Sequence, residues 1–390
     1  MNILVQLSHP AHFHYYHYAI VKWMEAGHKV VVAIKTKDIL EQLLISAHIP
    51  YVNINQRTHR GNKFGILWDM LVRDKYILQI CRKEHIDILT GSSAEVAQIG
   101  WLLHLPVICT GEDDAAAVPA YAKCTYPFLG ENRIRLCPSV CNSGRMERYT
   151  THYPSYHELA YLHPNHFTPN REMVEKYGID TSKPYFVMRF ASLNAHHDSG
   201  IKGINREIAA RLIEILKPHG QIYITSERLL EPEFEPYRIK INPLDMHHVM
   251  AFASLYIGDS QTMAAEAGVL GTPFVRYNDF VGRIGYLDEL EEPQTKQYVD
   301  YLHLDHHYNL GVGIRASEEG SKERLYATVE RMVALAPEER TRIYGERREK
   351  MLSEKIDYAK FLTWFIENYP SSVKEAKGRD ADDAFWKQFK

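Results

Sequence analysis

The sequence predicts an α/β protein with two Rossmann-like βαβ domains that face a cleft. Short apolar segments alternate with helical patterns along both halves of the chain, which is typical of parallel sheets covered by helices on both faces. The length of 390 residues is sufficient for two hydrophobic cores. A segment with two prolines at 162–170 separates the halves and predicts the crossing between the domains.

The first half begins with an apolar strand at 3–7, which a loop at 8–14 and a helix follow. Further strands are predicted at residues 29–34, 51–54, 87–90, 106–110 and 133–136. Helical patterns connect several of them, at residues 38–47, 64–84 and 96–104. Right-handed crossovers would place the loops after Leu7, Thr90 and Thr110 at one edge of the sheet.

The second half repeats this alternation. Strands are predicted at residues 185–189, 221–225, 238–241, 255–257 and 274–277. Helices are predicted at residues 204–216, 245–253, 263–270, 317–335 and 337–369. The domains are therefore predicted at 1–165 and 166–336, followed by a helix at 337–370. A highly charged tail at 371–390 completes the chain, and we expect it to be frayed.

The segment 255–277 carries the clearest functional pattern. An apolar strand at 255–257 leads into a small polar turn at 258–262, an amphipathic helix follows at 263–270, and Gly271 ends it. In such a unit the helix begins above the carboxyl edge of a parallel sheet. Free backbone N–H groups and the helix dipole make that position suitable for an anion.

This turn and helix predict a site for a nucleotide diphosphate. We expect Ser260, Gln261 and Thr262 to bind its phosphates. Glu266 lies four residues after Thr262 on the same helix face, where its carboxylate would accept a hydrogen bond from a ribose hydroxyl. The alternative is structural: Asp259 or Ser260 caps the helix, and Glu266 is a solvated helix residue.

The stretch GDSQTMAAEAGVLGTP at 258–273 resembles the donor-nucleotide helix of GT-B glycosyltransferases and of the related UDP-N-acetylglucosamine 2-epimerases. Together with HPAHFHYY at 9–16 and YHELAYLHP at 156–164, it also resembles domain-of-unknown-function family 354, over most of the chain. The resemblance implies a GT-B-like fold, a nucleotide-sugar ligand, and a last helix at 337–370 that crosses back to the first domain.

Three histidines, His9, His12 and His14, occupy the loop after the first strand. Histidine titrates near working pH, so His12 or His9 is a candidate catalytic base that deprotonates an acceptor hydroxyl. The alternative is that these imidazoles order the loop by hydrogen bonds to the backbone. No carboxylate stands at the usual helical spacing from them, so no metal site is predicted.

Three adjacent carboxylates, Glu112, Asp113 and Asp114, follow the strand at 106–110. Neighbouring carboxylates raise one another's pKa, so this turn can supply a base, and Asp114 is its candidate catalytic residue. The alternative is a solvated acidic turn that caps the helix near Ala115. No D-x-D motif is formed, which disfavours metal-dependent sugar transfer.

Arg189 ends the first strand of the second domain, and the loop after it is expected beside the Ser260 turn. Arg189 would then hold the diphosphate with two hydrogen bonds, and Ser192 is placed in the same nucleotide-sugar site. The alternative is a surface arginine that pairs with Asp198 or Glu227.

Composition excludes several classes of protein. The net charge of −3 leaves no basic surplus for nucleic acid. No apolar segment is long enough to span a bilayer, and no signal peptide precedes the first strand. The five cysteines form no zinc-binding pattern and predict reduced thiols. We therefore expect a cytoplasmic protein with at most peripheral contact at the inner face of the membrane.

These features predict a metal-independent GT-B-type glycosyltransferase. It would use a nucleotide-diphosphate sugar, UDP-linked, to build a cell-surface polysaccharide or glycoconjugate on a glycan or lipid-linked acceptor. No cofactor is predicted besides this donor. The helix N-terminus and Arg189 would stabilise the leaving diphosphate.

Two other functions remain open. The first is an epimerase similar to the UDP-N-acetylglucosamine 2-epimerases, although those enzymes carry a serine–glycine–glycine turn and paired glutamates in the donor helix. This chain has Ser260, Gln261 and Thr262 in the turn and the single Glu266 in the helix. The second is a non-catalytic protein that binds a nucleotide sugar without turnover.

Overall fold

The computed structural model describes residues 1–36, 39–55, 63–191, 203–293 and 307–390. They divide into two compact units. Unit 1 comprises Met1–Tyr161 and Lys355–Lys390, and unit 2 comprises Leu162–Glu354. Each unit is built on its own parallel sheet, so the predicted α/β class with two Rossmann-like domains is confirmed.

Unit 1 contains a seven-stranded sheet in the order β3-β2-β1-β4-β5-β6-β7. Its strands are β1 (Asn2–Leu7), β2 (Lys29–Lys35), β3 (Tyr51–Asn55), β4 (Ile88–Gly91), β5 (Val107–Thr110), β6 (Arg133–Pro138) and β7 (Thr150–Tyr153). In β1 the residues from Ile3 to Leu7 are all buried, as expected for a central parallel strand with helices on both faces.

The strand β7 was not predicted. Its sequence, Thr-Thr-His-Tyr, has no apolar run, so hydropathy does not distinguish it from a loop. In the structure it pairs in parallel with β6, from Arg135 opposite Thr150 to Pro138 opposite Tyr153. Threonine and tyrosine both favour strands, but without an apolar run this pairing is what identifies the segment as a strand.

The helices of unit 1 cover both faces of its sheet. Before the crossing they are α1 (Pro10–Glu25), α2 (Leu40–Ser46), α3 (Lys63–Lys83), α4 (Ala94–Leu103) and α5 (Pro119–Thr125). The predicted loop at 8–14 is wrong from Pro10 onward, because α1 already begins at that residue. Proline is suited to this first position, since its fixed φ is helical and it has no N–H to leave unbonded. His12 and His14 therefore lie on the helix.

Unit 2 contains a five-stranded sheet in the order β12-β11-β10-β8-β9. Its strands are β8 (Tyr185–Phe190), β9 (Gln221–Ser226), β10 (Leu255–Gly258), β11 (Phe274–Tyr277) and β12 (Gly311–Ile314). Its helices are α6 (Glu172–Glu175), α7 (Arg206–Leu216), α8 (Met246–Ala251), α9 (Gln261–Leu270), α10 (Gly285–Leu290), α11 (Ser321–Val333) and α12 (Pro337–Glu354).

One predicted strand of this sheet is wrong, and one observed strand was not predicted. The strand expected at 238–241 is reduced to a single bridge between Ile224 and Arg238. The strand β12 was not predicted, because its two glycines resemble a loop. A side chain at Gly311 would collide with the ring of Phe274 on the neighbouring strand, so a close approach of strands requires glycine there.

The long helical pattern at 337–369 is two helices, α12 and α13 (Tyr358–Glu367), interrupted at 355–357. The helix α13 belongs to unit 1. There the indole Nε1 of Trp23 on α1 donates a hydrogen bond to the carbonyl oxygen of Thr363, over 3.4 Å. In addition, Nε2 of His28 lies 3.4 Å from Oε1 of Glu367 on α13.

The expectation of a frayed tail at 371–390 is wrong. The tail forms α14 (Ser371–Ala376) and a 3-10 helix (Ala384–Phe389). Trp386 and Phe389 are each 2% exposed, and their rings lie 5.5 and 5.3 Å from the ring of Phe361. Burial of these aromatic rings offsets the entropy lost when a charged segment is ordered.

Strand order reverses once in each sheet. In unit 1, β2 lies on one side of β1 and β4 on the other, so the reversal is between β1 and β4. In unit 2, β9 lies on one side of β8 and β10 on the other, so the reversal is between β8 and β10. Loops that leave such neighbouring strands diverge to opposite faces of the sheet and open a crevice at the carboxyl edge. Ligands of open α/β sheets bind in this crevice.

Candidate functional site

The turn from β10 to α9 lies at the reversal point of unit 2. Ser260 is the N-cap of α9, and its hydroxyl accepts a hydrogen bond from the backbone N–H of Met263 at 3.4 Å. Gly271 ends the helix in the left-handed conformation at a φ of 82°. The predicted phosphate-binding residues Gln261 and Thr262 form the partly exposed first turn of α9. The strand–turn–helix unit is present as predicted and ends at the predicted residue, but α9 begins at Gln261, two residues before its predicted start.

Asp259 links this turn to the connection that follows β8 and to the one that follows β11. It is 3% exposed, and its carboxylate accepts hydrogen bonds from the backbone N–H groups of Ala191, at 2.7 Å, and Ile204, at 3.2 Å. Its carbonyl oxygen accepts a hydrogen bond from the side chain of Asn278. Burial raises the pKa of Asp259 to about 6, and the two backbone N–H groups oppose this rise. The sequence reasoning considered Asp259 only as a helix cap and missed this role.

Glu266 is not a solvated helix residue. It is 5% exposed, and its Oε1 atom lies 2.9 Å from Nε2 of His247 on α8. His247 is buried as well. No feature of the sequence predicted this partner, because α8 and α9 meet only through the packing of unit 2.

Arg189 makes the ion pair named as its alternative, with Nη2 2.5 Å from Oε1 of Glu227. Its Nε is buried and has no hydrogen-bond partner in the described part of the chain, and the same holds for the hydroxyl of Tyr256 on β10. Burial raises the pKa of Tyr256; Asp259 and Glu266 raise it further, whereas Arg189 opposes them. The charges of Arg189, Asp259 and Glu266 thus all act on one buried hydroxyl. The other residue predicted for this site, Ser192, lies outside the described residues.

A group of hydroxyls occupies the reversal point of unit 1. The hydroxyl of Thr110 on β5 lies 3.0 Å from that of Tyr15, 3.1 Å from that of Tyr16 and 2.8 Å from that of Ser92. Tyr16 also lies 2.6 Å from the hydroxyl of Thr90. Sequence reasoning missed this network, although Thr90 and Thr110 end two neighbouring strands.

A cavity of about 170 Å³ opens beside these hydroxyls. It is lined by His12, Tyr15, Ser92, Thr110, Gly111, Glu112, Asp113, Val118, Tyr121, Arg135 and His157. The cavity is smaller than the pockets of about 300–1,000 Å³ that enclose whole drug-sized ligands. It is therefore large enough for one polar group of a ligand.

The predicted catalytic histidines differ in their position. His12 lines the cavity, and its Nδ1 accepts a hydrogen bond from the backbone N–H of Ser8 at 3.2 Å. His9 is the N-cap of α1, where its Nδ1 accepts from the backbone N–H of Ala11. A neutral imidazole that accepts at Nδ1 carries its hydrogen on Nε2. Both rings are thus arranged to donate at Nε2.

Within the acidic turn, Asp113 rather than Asp114 lines the cavity. A carboxylate oxygen of Asp114 accepts a hydrogen bond from the backbone N–H of Asn142 at 2.6 Å, which fixes the turn. Asp113 is only partly exposed, and burial raises its pKa to about 7. The charge of Glu112 adds to this rise, and Arg135 opposes it.

His157 was not predicted as a site residue, although it lies in the segment YHELAYLHP. It begins a 3-10 helix (His157–Ala160) and is 4% exposed. Its ring packs between those of Tyr15, at 4.2 Å, and Tyr358, at 5.0 Å. Its Nδ1 lies 2.9 Å from Oε2 of Glu112, at an angle that does not make a regular hydrogen bond.

The described residues contain no group of three or more histidines, cysteines, aspartates and glutamates arranged to hold a metal ion. None of the helices in the described ranges combines the length and the apolar character that crossing a bilayer requires.

The two parallel-sheet units, with ligand crevices at their strand reversals, place the chain among two-domain Rossmann-like proteins. Residues 1–281 match a family described as protein of unknown function (DUF354), and the chain belongs to this family. No match was found among curated protein sequences.

Several solved structures share the fold. One is the rhamnosyltransferase SpnG complexed with spinosyn aglycone, at 15% identity over 94% of this chain and 100% of that chain, with a TM-score of 0.60. A putative UDP-N-acetylglucosamine 2-epimerase from Listeria monocytogenes has 12% identity over 98% and 99%, with a TM-score of 0.62. The glycosyltransferase SsfS6 from Streptomyces sp. SF2575, complexed with thymidine diphosphate, has 13% identity over 94% and 99%, with a TM-score of 0.56. These similarities confirm the GT-B-like fold.

Proposed function

We propose that the protein is a metal-independent glycosyltransferase that uses a nucleotide-diphosphate sugar. The observation that supports this most directly is the grouping of Arg189, Glu266 and the N-terminus of α9 at the strand reversal of unit 2. The partly exposed first turn of α9 offers backbone N–H groups to a diphosphate. The unpartnered Nε of Arg189 offers a further donor, and the carboxylate of Glu266 offers an acceptor for a ribose hydroxyl.

The donor is proposed to be UDP-linked, and dTDP-linked sugars are the first competitors to test, since thymidine diphosphate is named in one structure of the same fold. The acceptor is proposed to be a glycan or a lipid-linked hydroxyl compound that binds unit 1. Cell-surface polysaccharide or glycoconjugate synthesis is the corresponding process. The leaving diphosphate would be stabilised by the helix N-terminus and arginine.

Calorimetric titration of UDP and dTDP into the full chain tests the donor site. We expect saturable binding of one of them. Glu266→Ala should weaken it at least about tenfold, because a hydrogen bond to a charged group contributes about 1.5–3 kcal/mol and about 1.4 kcal/mol is a factor of ten. Glu289→Ala is the matched control, since Glu289 is also a buried glutamate of unit 2. The proposal fails if neither nucleotide binds wild type, or if both variants bind equally.

An epimerase is the second candidate, because a putative UDP-N-acetylglucosamine 2-epimerase is among the structures of the same fold. An epimerase needs no acceptor. Incubation of the full chain with UDP-N-acetylglucosamine alone, followed by analysis of the sugar, separates the two functions. A 2-epimer formed without acceptor would favour the epimerase, whereas transfer that requires an added hydroxyl compound would favour the transferase.

A further inference from the structure

The cavity of unit 1 contains a histidine with unfilled hydrogen-bonding capacity. His157 is 4% exposed, and neither ring nitrogen has a hydrogen-bond partner among the described residues. A buried polar atom without a partner destabilises the folded protein. Glu112 lies beside one of these nitrogens, so the other, Nε2, on a ring that lines a cavity, indicates a site that a polar group of a ligand completes.

Glu112 defines the tautomer of this imidazole. Its Oε2 atom lies 2.9 Å from Nδ1 of His157 and has no regular hydrogen bond within the described ranges. A carboxylate beside Nδ1 favours a hydrogen on that nitrogen and leaves the lone pair on Nε2. Nε2 of His157 is then the atom that can take up a proton.

His12 lines the same cavity, but it is arranged as the opposite tautomer. Its Nδ1 accepts the backbone N–H of Ser8, so its neutral ring has a hydrogen on Nε2 and donates there. A base must accept the proton of the reacting group. Of these two cavity histidines, the geometry supports His157 as the base.

The remaining walls are suited to a hydroxyl compound. Tyr15, Ser92 and Thr110 present hydroxyls that can both donate and accept, and Asp113 adds a carboxyl group. At about 30 Å³ for each water molecule, a volume of 170 Å³ corresponds to roughly six waters. This space admits one hydroxyl-bearing group of a sugar or polyol and not an entire oligosaccharide.

We infer that the cavity binds the nucleophilic hydroxyl of a sugar or polyol acceptor, with His157 as its general base and Glu112 as the residue that orients the imidazole. The inference rests on the proposed transferase function. The acceptor O–H bond breaks and its proton moves to Nε2 of His157. The oxygen bonds to the anomeric carbon while the bond from that carbon to the diphosphate oxygen breaks, and its electron pair leaves with the nucleoside diphosphate. Glu112 balances the imidazolium charge.

Nitrogen NMR of the full chain labelled at histidine tests the tautomers without any substrate. We expect His157 to carry its hydrogen on Nδ1 and His12 to carry it on Nε2, with assignments from His157→Gln and His12→Gln. A hydrogen on Nε2 of neutral His157 would overturn the inference even if the protein is a transferase.

Kinetics then test the role in turnover, measured as release of UDP or dTDP from their sugars with monosaccharides and glycerol as acceptors. His157→Gln should lower kcat by about 10²–10⁴-fold, the usual contribution of a general base, and leave nucleotide affinity unchanged. Glu112→Gln should lower kcat by a smaller factor. His152→Gln is the matched control, because His152 also pairs with a glutamate at 2.9 Å in unit 1 but does not line the cavity.

A purely structural role of His157 is distinguished by chemical rescue. Added imidazole should restore part of the turnover of His157→Ala if the lost group is a base.

If wild type binds UDP and turns over, and His157→Gln is equally active, the inference is overturned but the proposed transferase function is not. A wild type that neither binds nucleotides nor turns over would remove both. If His157→Gln does not fold, Glu112→Gln decides: turnover equal to that of wild type would overturn the inference.

Discussion

Nε2 of His247 lies 2.9 Å from Oε1 of Glu266 in the interior of unit 2. Both residues are less than a tenth exposed, and they lie on the two neighbouring helices α8 and α9. A buried carboxylate is held in one orientation by its hydrogen-bond partner. The position from which Glu266 would meet a ribose hydroxyl therefore depends on His247.

Replacement of His247 by alanine should affect both stability and ligand binding. We expect the free energy of unfolding to fall by about 1–3 kcal/mol, because the substitution removes a hydrogen bond from a buried carboxylate. UDP affinity should fall with it. His248→Ala is the control, since the adjacent imidazole is bonded to the backbone of Asn170 instead. Urea denaturation and calorimetry measure the two effects, and equal results for the two variants would contradict the role of His247.

The stability of unit 2 should depend on pH through Asp259, whose pKa rises from an ordinary value of 3.8 to about 6. Between these pH values the folded protein keeps a proton that the unfolded chain has released, so stability falls as pH rises from about 4 to 6. The rise corresponds to about 3 kcal/mol. Asp259→Asn should remove this slope in urea denaturation at a series of pH values.

The control for this pH effect is Asp180→Asn. Hydrogen bonds to Lys183 and Ser182 lower the pKa of Asp180 to about 2. Its contribution to stability is therefore lost only as pH falls below 3.8, and the slope between pH 4 and 6 should stay as in wild type. The same slope in Asp259→Asn and wild type would show that Asp259 does not titrate in this window.

Gly258→Ala should destabilise the protein, because a Cβ atom at Gly258 would meet the hydroxyl of Tyr256 and lie 2.9 Å from the carbonyl oxygen of Arg189. We expect a loss of about 1–3 kcal/mol, typical of an overpacked core, and weaker UDP binding. Gly345→Ala is the matched control: Gly345 lies within α12 and has no atom within 4 Å of the added carbon. This helical position should gain about 0.5–1 kcal/mol. Denaturation of both variants measures these changes in the free energy of unfolding, which should have opposite signs.

Trp386→Ala should destabilise unit 1, although the residue is only four positions from the C-terminus. Its indole packs on Phe361 of α13 and donates a hydrogen bond to the carbonyl oxygen of Asp380 at 2.8 Å. Loss of a fully buried tryptophan costs about 3–5 kcal/mol. Lys387→Ala, at an exposed neighbour, should have little effect. A Trp386→Ala protein that unfolds at the urea concentration of wild type would show that the tail is not required for stability.

Features that depend on near neighbours in the chain were predictable. The boundaries of α9 follow from Ser260 as a cap, from the apolar helix face and from Gly271, all within about three turns of helix. The alternation of strands and helices likewise predicted both sheets. Predictions failed where hydropathy gave no signal, as in the polar strand β7, and where tertiary contact overrides local preference, as in the glycine-rich strand β12 and the aromatic anchors of the charged tail.

By itself, the sequence determined the α/β class, two parallel-sheet domains and the turn that begins α9, because apolar periodicity, caps and glycines act over a few residues. Tertiary structure alone decided the partners of the site residues. Asp259 and Ala191 are 68 positions apart in the sequence and share a hydrogen bond. His247 and Glu266, which are 19 positions apart, are also in contact. His157 lies beside Glu112, although the strands β6 and β7 separate them in the sequence. Such pairs depend on strand order and helix packing, which bring together side chains that no spacing along the chain relates.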